Sequence, residues 1–389
     1  MSAHAFLSPS SAHRWLACTP SAHFESNFPD NAGEAAKEGT VAHSLGDCLI
    51  KQALNMVSRK KIKYDIEKIK LNRFYNADML RHCEGYRDYV LERYAEALAV
   101  DPKAKIYIEE RLNMSRWVPK GFGRGDVIIL CKKYLEFIDL KYGQGVPVSA
   151  VENKQLYLYA LGAYDAHDLI YEFKYIRMTI YQPRLDSITT DTKTILQLLD
   201  WADQVLVPKA LLAFKGEGEY VPGDHCKFCR GKADCEALAK FNLELTRHAF
   251  KTSNFLSPEA KAEAIRQGPL LVDWVNSLKD SALKDALDGD VLPGYKLVHG
   301  KSSRMYKDTE KVAAAVLEKG YKEDELYKKD LIGITAMEKL IGKNGVEEIL
   351  KDLIIKPAGA PTLVPESDPR PVYRSSVSVF SDGFKDEQS

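Results

Sequence analysis

The sequence predicts a mixed α/β chain of the α+β kind: a central mixed β-sheet flanked by helices, followed by a mainly helical C-terminal region. Three observations carry this prediction. Apolar residues recur at helical spacing through two long N-terminal segments, the period then shortens to that of strands over residues 105–140, and beyond about residue 250 the composition shifts to Lys, Glu and Ala. With 389 residues the chain can hold two or more domains. They are expected at 1–245 and 246–356, with a tail over 357–389.

Ser8-Pro9 opens a short helix, with Ser8 as N-cap and Pro9 at the first helical position, carrying Trp15 and Leu16 toward Cys18. From Glu34 to about Met56, the spacing of Ala42, Leu45, Leu49 and Ala53 predicts a helix that bears His43. Residues 58–73 are basic and read as exposed. Met79, Cys83, Tyr86, Val90 and Tyr94 define a second long helix over about 76–99. Strands follow at 105–112, 124–130 and 134–140, and the last two form a hairpin. A helix at 152–168, a strand at 173–182 and a helix at 192–214 lead into a cysteine loop. Further helices are expected at 258–288, 309–319 and 334–352, with a strand near Tyr295–Val298. After Lys356 the Pro, Ser and charged residues cannot build a core, so that tail reads as extended or disordered.

Lys plus Arg and Asp plus Glu number 55 each, so the formal net charge is zero. Any contact with nucleic acid must come from a local basic surface and not from a global field. Met1 to Leu16 has neither a basic flank before an apolar core nor a run able to span a bilayer. A cytoplasmic protein without membrane contact is expected. Seven cysteines in a reducing compartment argue against a disulfide framework and leave Cys48, Cys83 and Cys131 as buried apolar residues.

The other four carry chemistry. Cys226, Cys229 and Cys235 are spaced C-x2-C-x5-C, and Cys18 is a fourth candidate ligand far upstream. Soft thiolates of this kind hold zinc or an iron-sulfur cluster. Zinc sites usually draw on two local pairs, and no second C-x2-C exists here, so an iron-sulfur staple is favoured over structural zinc. In the hairpin, a two-residue turn at Lys132-Lys133 would set Asp126 opposite Asp139. Directly opposed residues share a face, so the two carboxylates would meet and call for a hard cation such as Mg²⁺ or Mn²⁺. A slip of one residue would turn one Asp away. Lys141 returns to the face of Asp139, and Gln155 and Tyr159 share one face of the next helix.

The order of these motifs resembles the RecB-like branch of the PD-(D/E)XK nucleases, in particular the CRISPR-associated exonucleases and AddB-type subunits with an iron-sulfur staple. The resemblance covers roughly residues 8–240. Gly39-Thr40-x-x-His43 is similar to that branch's helical His motif, Gly123-x-x-Asp126 to its metal-binding Asp, Asp139-Leu140-Lys141 to its D-x-K, and Gln155-x-x-x-Tyr159 to the following helix motif. Cys18, Cys226, Cys229 and Cys235 are similar to its four-cysteine staple, and Glu109, in preference to Glu110, to its acid on the first strand. The region past 250 resembles a phage and prophage family sharing this core.

The resemblance implies a restriction-endonuclease-like fold and a metal-dependent DNA exonuclease used in phage recombination or DNA processing. It implies Mg²⁺ or Mn²⁺ on His43, Asp126, Asp139 and the Leu140 carbonyl, catalytic work by Lys141 with Glu109, Gln155 and Tyr159, and a structural [4Fe-4S] cluster. Partners expected on this basis are DNA and a phage single-strand DNA-binding or annealing protein, with an oligomer allowed for. A non-catalytic DNA-binding or assembly subunit is the alternative, and the intact His, Asp, Asp and Lys set argues against it.

Overall fold

The computed structural model describes residues 5–29, 33–248, 257–290 and 292–295, together with 311, 317 and 318. The N-terminal helices form where the apolar spacing places them. A 3-10 turn at Pro9–Ser11 runs into α1 (Ala12–Trp15), and a further short helix, α2, spans Ser21–Glu25. The predicted His43 helix is α3 (Glu34–Ala53), which buries Ala42, Leu45 and Leu49. The basic segment expected to be exposed forms α4 (Arg59–Lys70), capped by the Ser58 side chain; within it Ile62 is buried while the rest are exposed or half-buried. Its dense charge obscures a stripe of Ile62, Ile66 and Ile69, which turn toward the α3 layer. The second long helix is α5 (Ala77–Val100), whose N-cap Asn76 accepts from the Met79 N–H.

Five strands form one sheet in the order β1 (Lys105–Asn113), β2 (Phe122–Cys131), β3 (Tyr134–Leu140), β4 (Tyr175–Gln182) and β5 (Ser187–Thr194). Neighbours are antiparallel except β3 and β4, which run parallel, so the sheet is mixed as predicted. The parallel pair requires a crossover, and α6 (Lys154–His167) supplies it. The hairpin turns at Lys132-Lys133, with Cys131 opposite Tyr134 and Val127 opposite Ile138. β5 begins before the helix expected at 192–214, because its Thr-rich run alternates half-buried and exposed positions as a strand does. That helix starts only at Ile195. It continues as α7 (Ile195–Trp201), a π turn (Ala202–Leu206) and α8 (Val207–Lys215).

Helices cover both faces of the sheet. On one, Leu156 and Leu161 of α6 pack with Trp15, Leu112, Ile128, Phe137 and Ile180. On the other, Ile50 of α3 with Tyr86 and Val90 of α5 packs against Val127, Ile129, Ile138 and Leu140. β3 lies in the middle and is buried along its whole length. Its Glu136 is fully buried, and Arg93 at 2.9 Å and Arg177 at 3.5 Å compensate the charge. Removing such a partner leaves a buried charge uncompensated, at a cost of about 3–5 kcal/mol.

After the cysteine loop come α9 (Glu236–His248) and α10 (Pro258–Asp288). The chain divides into two units, Met1–Val298 and His299–Ser389, so α10 falls in the first. There Trp274 of α10 clusters with Cys226 and Leu238. The expected helix at 334–352 and the tail over 357–389 lie outside the described residues, as do most of the helix at 309–319 and of the strand near Tyr295–Val298. Among the described residues, no helix is long and apolar enough to cross a membrane.

One glycine sets how closely β2 meets β3. A Cβ on Gly125 would come within 2.6 Å of Phe137 Cε2. That ring is fully buried and stacked on Tyr159, with centroids 5.1 Å apart, so it has no room to retreat. Gly125→Ala is expected to lower stability by about 1–3 kcal/mol in chemical denaturation. Gly143→Ala, where a Cβ meets nothing within 4 Å, should change it by less than about 0.5 kcal/mol.

Candidate metal centre and cysteine clasp

Side chains along β2 alternate between the two helical layers, with Ile128 and Leu130 toward α6 and Val127 and Ile129 toward α3 and α5. Strict alternation would aim Asp126 at α6. Yet Gly123 and Gly125 face the α6 layer, where added Cβ atoms would strike Tyr159 and Phe137, so the phase shifts by one residue at Asp126. β1 shifts alongside it: Ile106 and Ile108 pack in the α5 layer, whereas Leu112 packs in the α6 layer. Pairing stays in register on both sides, with Ile108 opposite Val127 and Glu110 opposite Gly125. Glu109, between those pairs, absorbs the shift with a φ of 58°. A non-glycine residue in this left-handed region costs about 1–3 kcal/mol, and such strain gathers at functional sites.

Asp126 is thereby turned to α3. His43 Nδ1 lies 3.1 Å from Asp126 Oδ2, and the Leu140 N–H donates to the same oxygen at 2.8 Å. Ligating atoms of His43, Glu109 and Asp126 all fall within 4.8 Å of one another. Asp139 leaves β3 on the other side. The register sets it at the step opposite Asp126, but the expectation that the two carboxylates share a face is corrected by the shift in β2. Lys141 Nζ lies 2.9 Å from Asp139 Oδ2 and donates to Gln155 Oε1 at 3.0 Å, while Gln155 Nε2 reaches Asp139 Oδ1 at 3.5 Å. Asn153 fixes Gln155 at the start of α6 by accepting from the Gln155 and Leu156 N–H groups. Tyr159, one turn later, is 8% exposed and braces the site by stacking on Phe137. Sequence reasoning missed Asp47 and Tyr86, which line the pocket of His43, Glu109 and Asp126. Helical spacing held a signal for Asp47, four residues after His43 on α3.

The four motif cysteines gather elsewhere. Cys18 follows α1, Cys226 lies in a 3-10 turn (Asp224–Phe228), and with Cys229 and Cys235 they line one cavity. No three of these thiols come within 4.8 Å of one another. Polar contacts tie the same two parts of the chain. Thr19 Oγ1 donates to the Glu217 carbonyl at 2.6 Å, Lys209 Nζ to the Leu16 carbonyl at 2.7 Å, and the Arg230 N–H to Glu25 Oε1 at 2.9 Å. Cys48, Cys83 and Cys131 are buried apart from this cavity, as expected.

Burial and charge set the protonation of the first cluster. Burial would raise the Asp126 carboxyl, but the His43 charge and hydrogen bond hold it below the usual carboxylate range. Burial opposes protonation of His43, yet Asp126 and Asp139 raise it to about 9. Burial, reinforced by Asp126, pushes Glu109 up to about 7 and also lifts Asp139. Lys141 is raised in spite of its burial, because Asp139 favours the ammonium form. Raised values favour the protonated native state. Stability from Glu109 is therefore complete below 4.5 and lost as pH rises through about 7, and that from His43 is complete below 6.5 and lost through about 9. In metal-free protein the thermal midpoint should fall across this window. Glu109→Gln should flatten its lower part and His43→Gln its upper part; an unchanged slope in either variant would assign the loss to other groups.

The chain is similar to a solved structure described as "Crystal structure of SSO0001", at 16% identity over 58% of this chain and 96% of that one, with a TM-score of 0.23. Residues 4–371 match the family described as "Protein of unknown function (DUF2800)", and the chain belongs to that family.

Proposed function

We propose that this protein is a metal-dependent deoxyribonuclease of the RecB-like PD-(D/E)XK type, an exonuclease that hydrolyses DNA phosphodiester bonds in phage recombination or DNA processing. One observation carries the reading: the His43, Glu109 and Asp126 cluster adjoins an Asp139, Lys141 and Gln155 network at the open end of one hairpin. Carboxylates with one imidazole fit Mg²⁺ or Mn²⁺. His43, Glu109 and Asp126 would hold the ion, with Asp139 and the Leu140 carbonyl beside them. Once bound, it would acidify water and neutralise charge at the scissile phosphate.

The protein groups divide the remaining work. Lys141, protonated and anchored by Asp139 and Gln155, donates to the attacking water or to the oxygens that gain negative charge. Being cationic, it is not a general base. Gln155 keeps the ammonium oriented, and Tyr159 keeps α6 against β3 through Phe137. The cysteines take no part in hydrolysis. They hold a [4Fe-4S] cluster that fastens α1 and α2 to the segment after α8, where a cross-link between distant chain segments restricts the unfolded chain most. A cytoplasmic setting and a phage single-strand DNA-binding or annealing partner belong to the same reading.

Degradation of single- or double-stranded DNA with Mg²⁺ or Mn²⁺ is expected in the wild type and absent in Asp126→Asn. Lys141→Ala should lower turnover by about 10²–10³-fold and leave DNA affinity nearly unchanged. Equal losses in both would make Lys141 a phosphate contact only. If the wild type binds DNA without degrading it, the protein is a binding subunit. Anaerobic purification should give a brown protein containing iron and sulfide, with the colour lost in Cys18→Ser; stoichiometric zinc in a colourless protein would replace the iron assignment.

A further inference from the structure

Beyond the His43, Glu109 and Asp126 cluster, β1 and β2 run on toward their connecting turn and carry two arginines with them. Arg111 and Arg124 are directly opposed in the antiparallel ladder, so they share one face with Cβ atoms about 4.5–5.5 Å apart. Leu112 on one strand and Gly123 and Gly125 on the other face the α6 layer. Alternation therefore sends both arginines to the opposite face, the face of Glu109 and Asp126. In keeping with this, Arg124 Nε lies 3.9 Å from Glu109 Oε2. Both arginines are exposed.

Like charges directly opposed across a ladder work against folding. This pair is scarcely compensated: among the described residues, the long contact with Glu109 is the ion pair of Arg124, and Arg111 has none. Arg111 instead stacks on Phe122, its guanidinium carbon 4.7 Å from the ring centroid. Stacking fixes the plane of the guanidinium and leaves its in-plane N–H groups free to meet an anion. A shallow pocket continues the surface past Phe122, where Arg111, Asn113, Ser115 and Lys120 stand without a carboxylate in the lining.

Glu109 is a ligand in the metal-dependent reading, so a bound ion takes over the carboxylate near Arg124 and leaves both guanidiniums unbalanced. Paired guanidinium forks match the oxygens of a phosphate. With a formal net charge of zero the chain offers no general attraction, and its grip on a polyanion has to be local. We propose that Arg111 and Arg124 form a phosphate clamp that holds the DNA backbone beside the scissile phosphate, with Lys120 extending the track into the β1–β2 turn. The proposal rests on the nuclease reading above. The clamp reads phosphate alone, so it accepts any base sequence. Its arginines break no bond; they set where the strand lies against Lys141 and the metal ligands.

Fluorescence anisotropy of labelled DNA oligonucleotides with the full-length protein in EDTA tests this, repeated across a range of salt concentrations. Arg111→Gln and Arg124→Gln should each weaken binding about tenfold, equally for unrelated sequences, and lower the salt slope by about one. Their thermal midpoints should hold or rise, because each removes a repulsion, whereas a purely structural role would lower them. With Mg²⁺ or Mn²⁺ the same variants should raise KM more than they lower kcat, the reverse of Lys141→Ala. Unchanged affinity and salt slope in both variants overturns the clamp and leaves the nuclease reading intact. Displacement of the DNA by millimolar inorganic phosphate at constant ionic strength would make the pair a site for free phosphate and overturn it too. A wild type that binds DNA without degrading it removes the nuclease reading, and the clamp then stands or falls on the two variants. No DNA binding by the wild type overturns both.

Discussion

The arrangement of the site depends on the left-handed backbone of Glu109 opposite Asp126. A regular β1–β2 ladder would send the Asp126 side chain into the α6 layer with Asp139, and two carboxylates would compete for one space. The local shift instead gives Asp126 to α3, where His43 compensates it, and leaves Asp139 to Lys141 and Gln155. Each carboxylate acquires its own cationic partner. Backbone strain is the cost of separating them, and the hydrogen bond from Leu140 N–H to Asp126 takes over where the β2–β3 ladder ends.

Separation gives the two carboxylates different electrostatics in one buried region. Asp126 is held ionised by His43, whereas burial lifts Asp139 and Glu109. A cation entering beside His43 must displace its proton, since the imidazole is raised to about 9 by the carboxylates around it. Lys141 is different: its charge is fixed by Asp139 and its direction by a glutamine held at a capped helix start.

The cysteine cavity works on another scale. Its lining comes from the first helices and from the segment beyond α8, and the crossover between β3 and β4 through α6 lies between these two parts of the chain. Polar contacts from Thr19, Lys209 and Glu25 bridge the same junction without any metal. Cys226 also packs with Trp274, which draws α10 into the first unit.

The sequence by itself determined the long helices and the β2–β3 hairpin with its turn at Lys132-Lys133, because apolar period and turn length are local properties. Its motifs singled out His43, Asp126, Asp139, Lys141 and Gln155, which the structure brings into contact as one pair and one network. It marked the α4 segment as exposed and basic without assigning it a helix, because charge outweighed three isoleucines, and it missed β5 because threonines facing a solvated edge carry little apolar signal. Only the tertiary structure decided which carboxylate faces which helix. A one-residue shift in side-chain phase leaves no mark on composition or spacing, and Glu109 can hold its left-handed φ only because paired strands on either side fix the backbone around it. The same holds for Asp47 and Tyr86, which meet only when α3 and α5 pack on one face of the sheet.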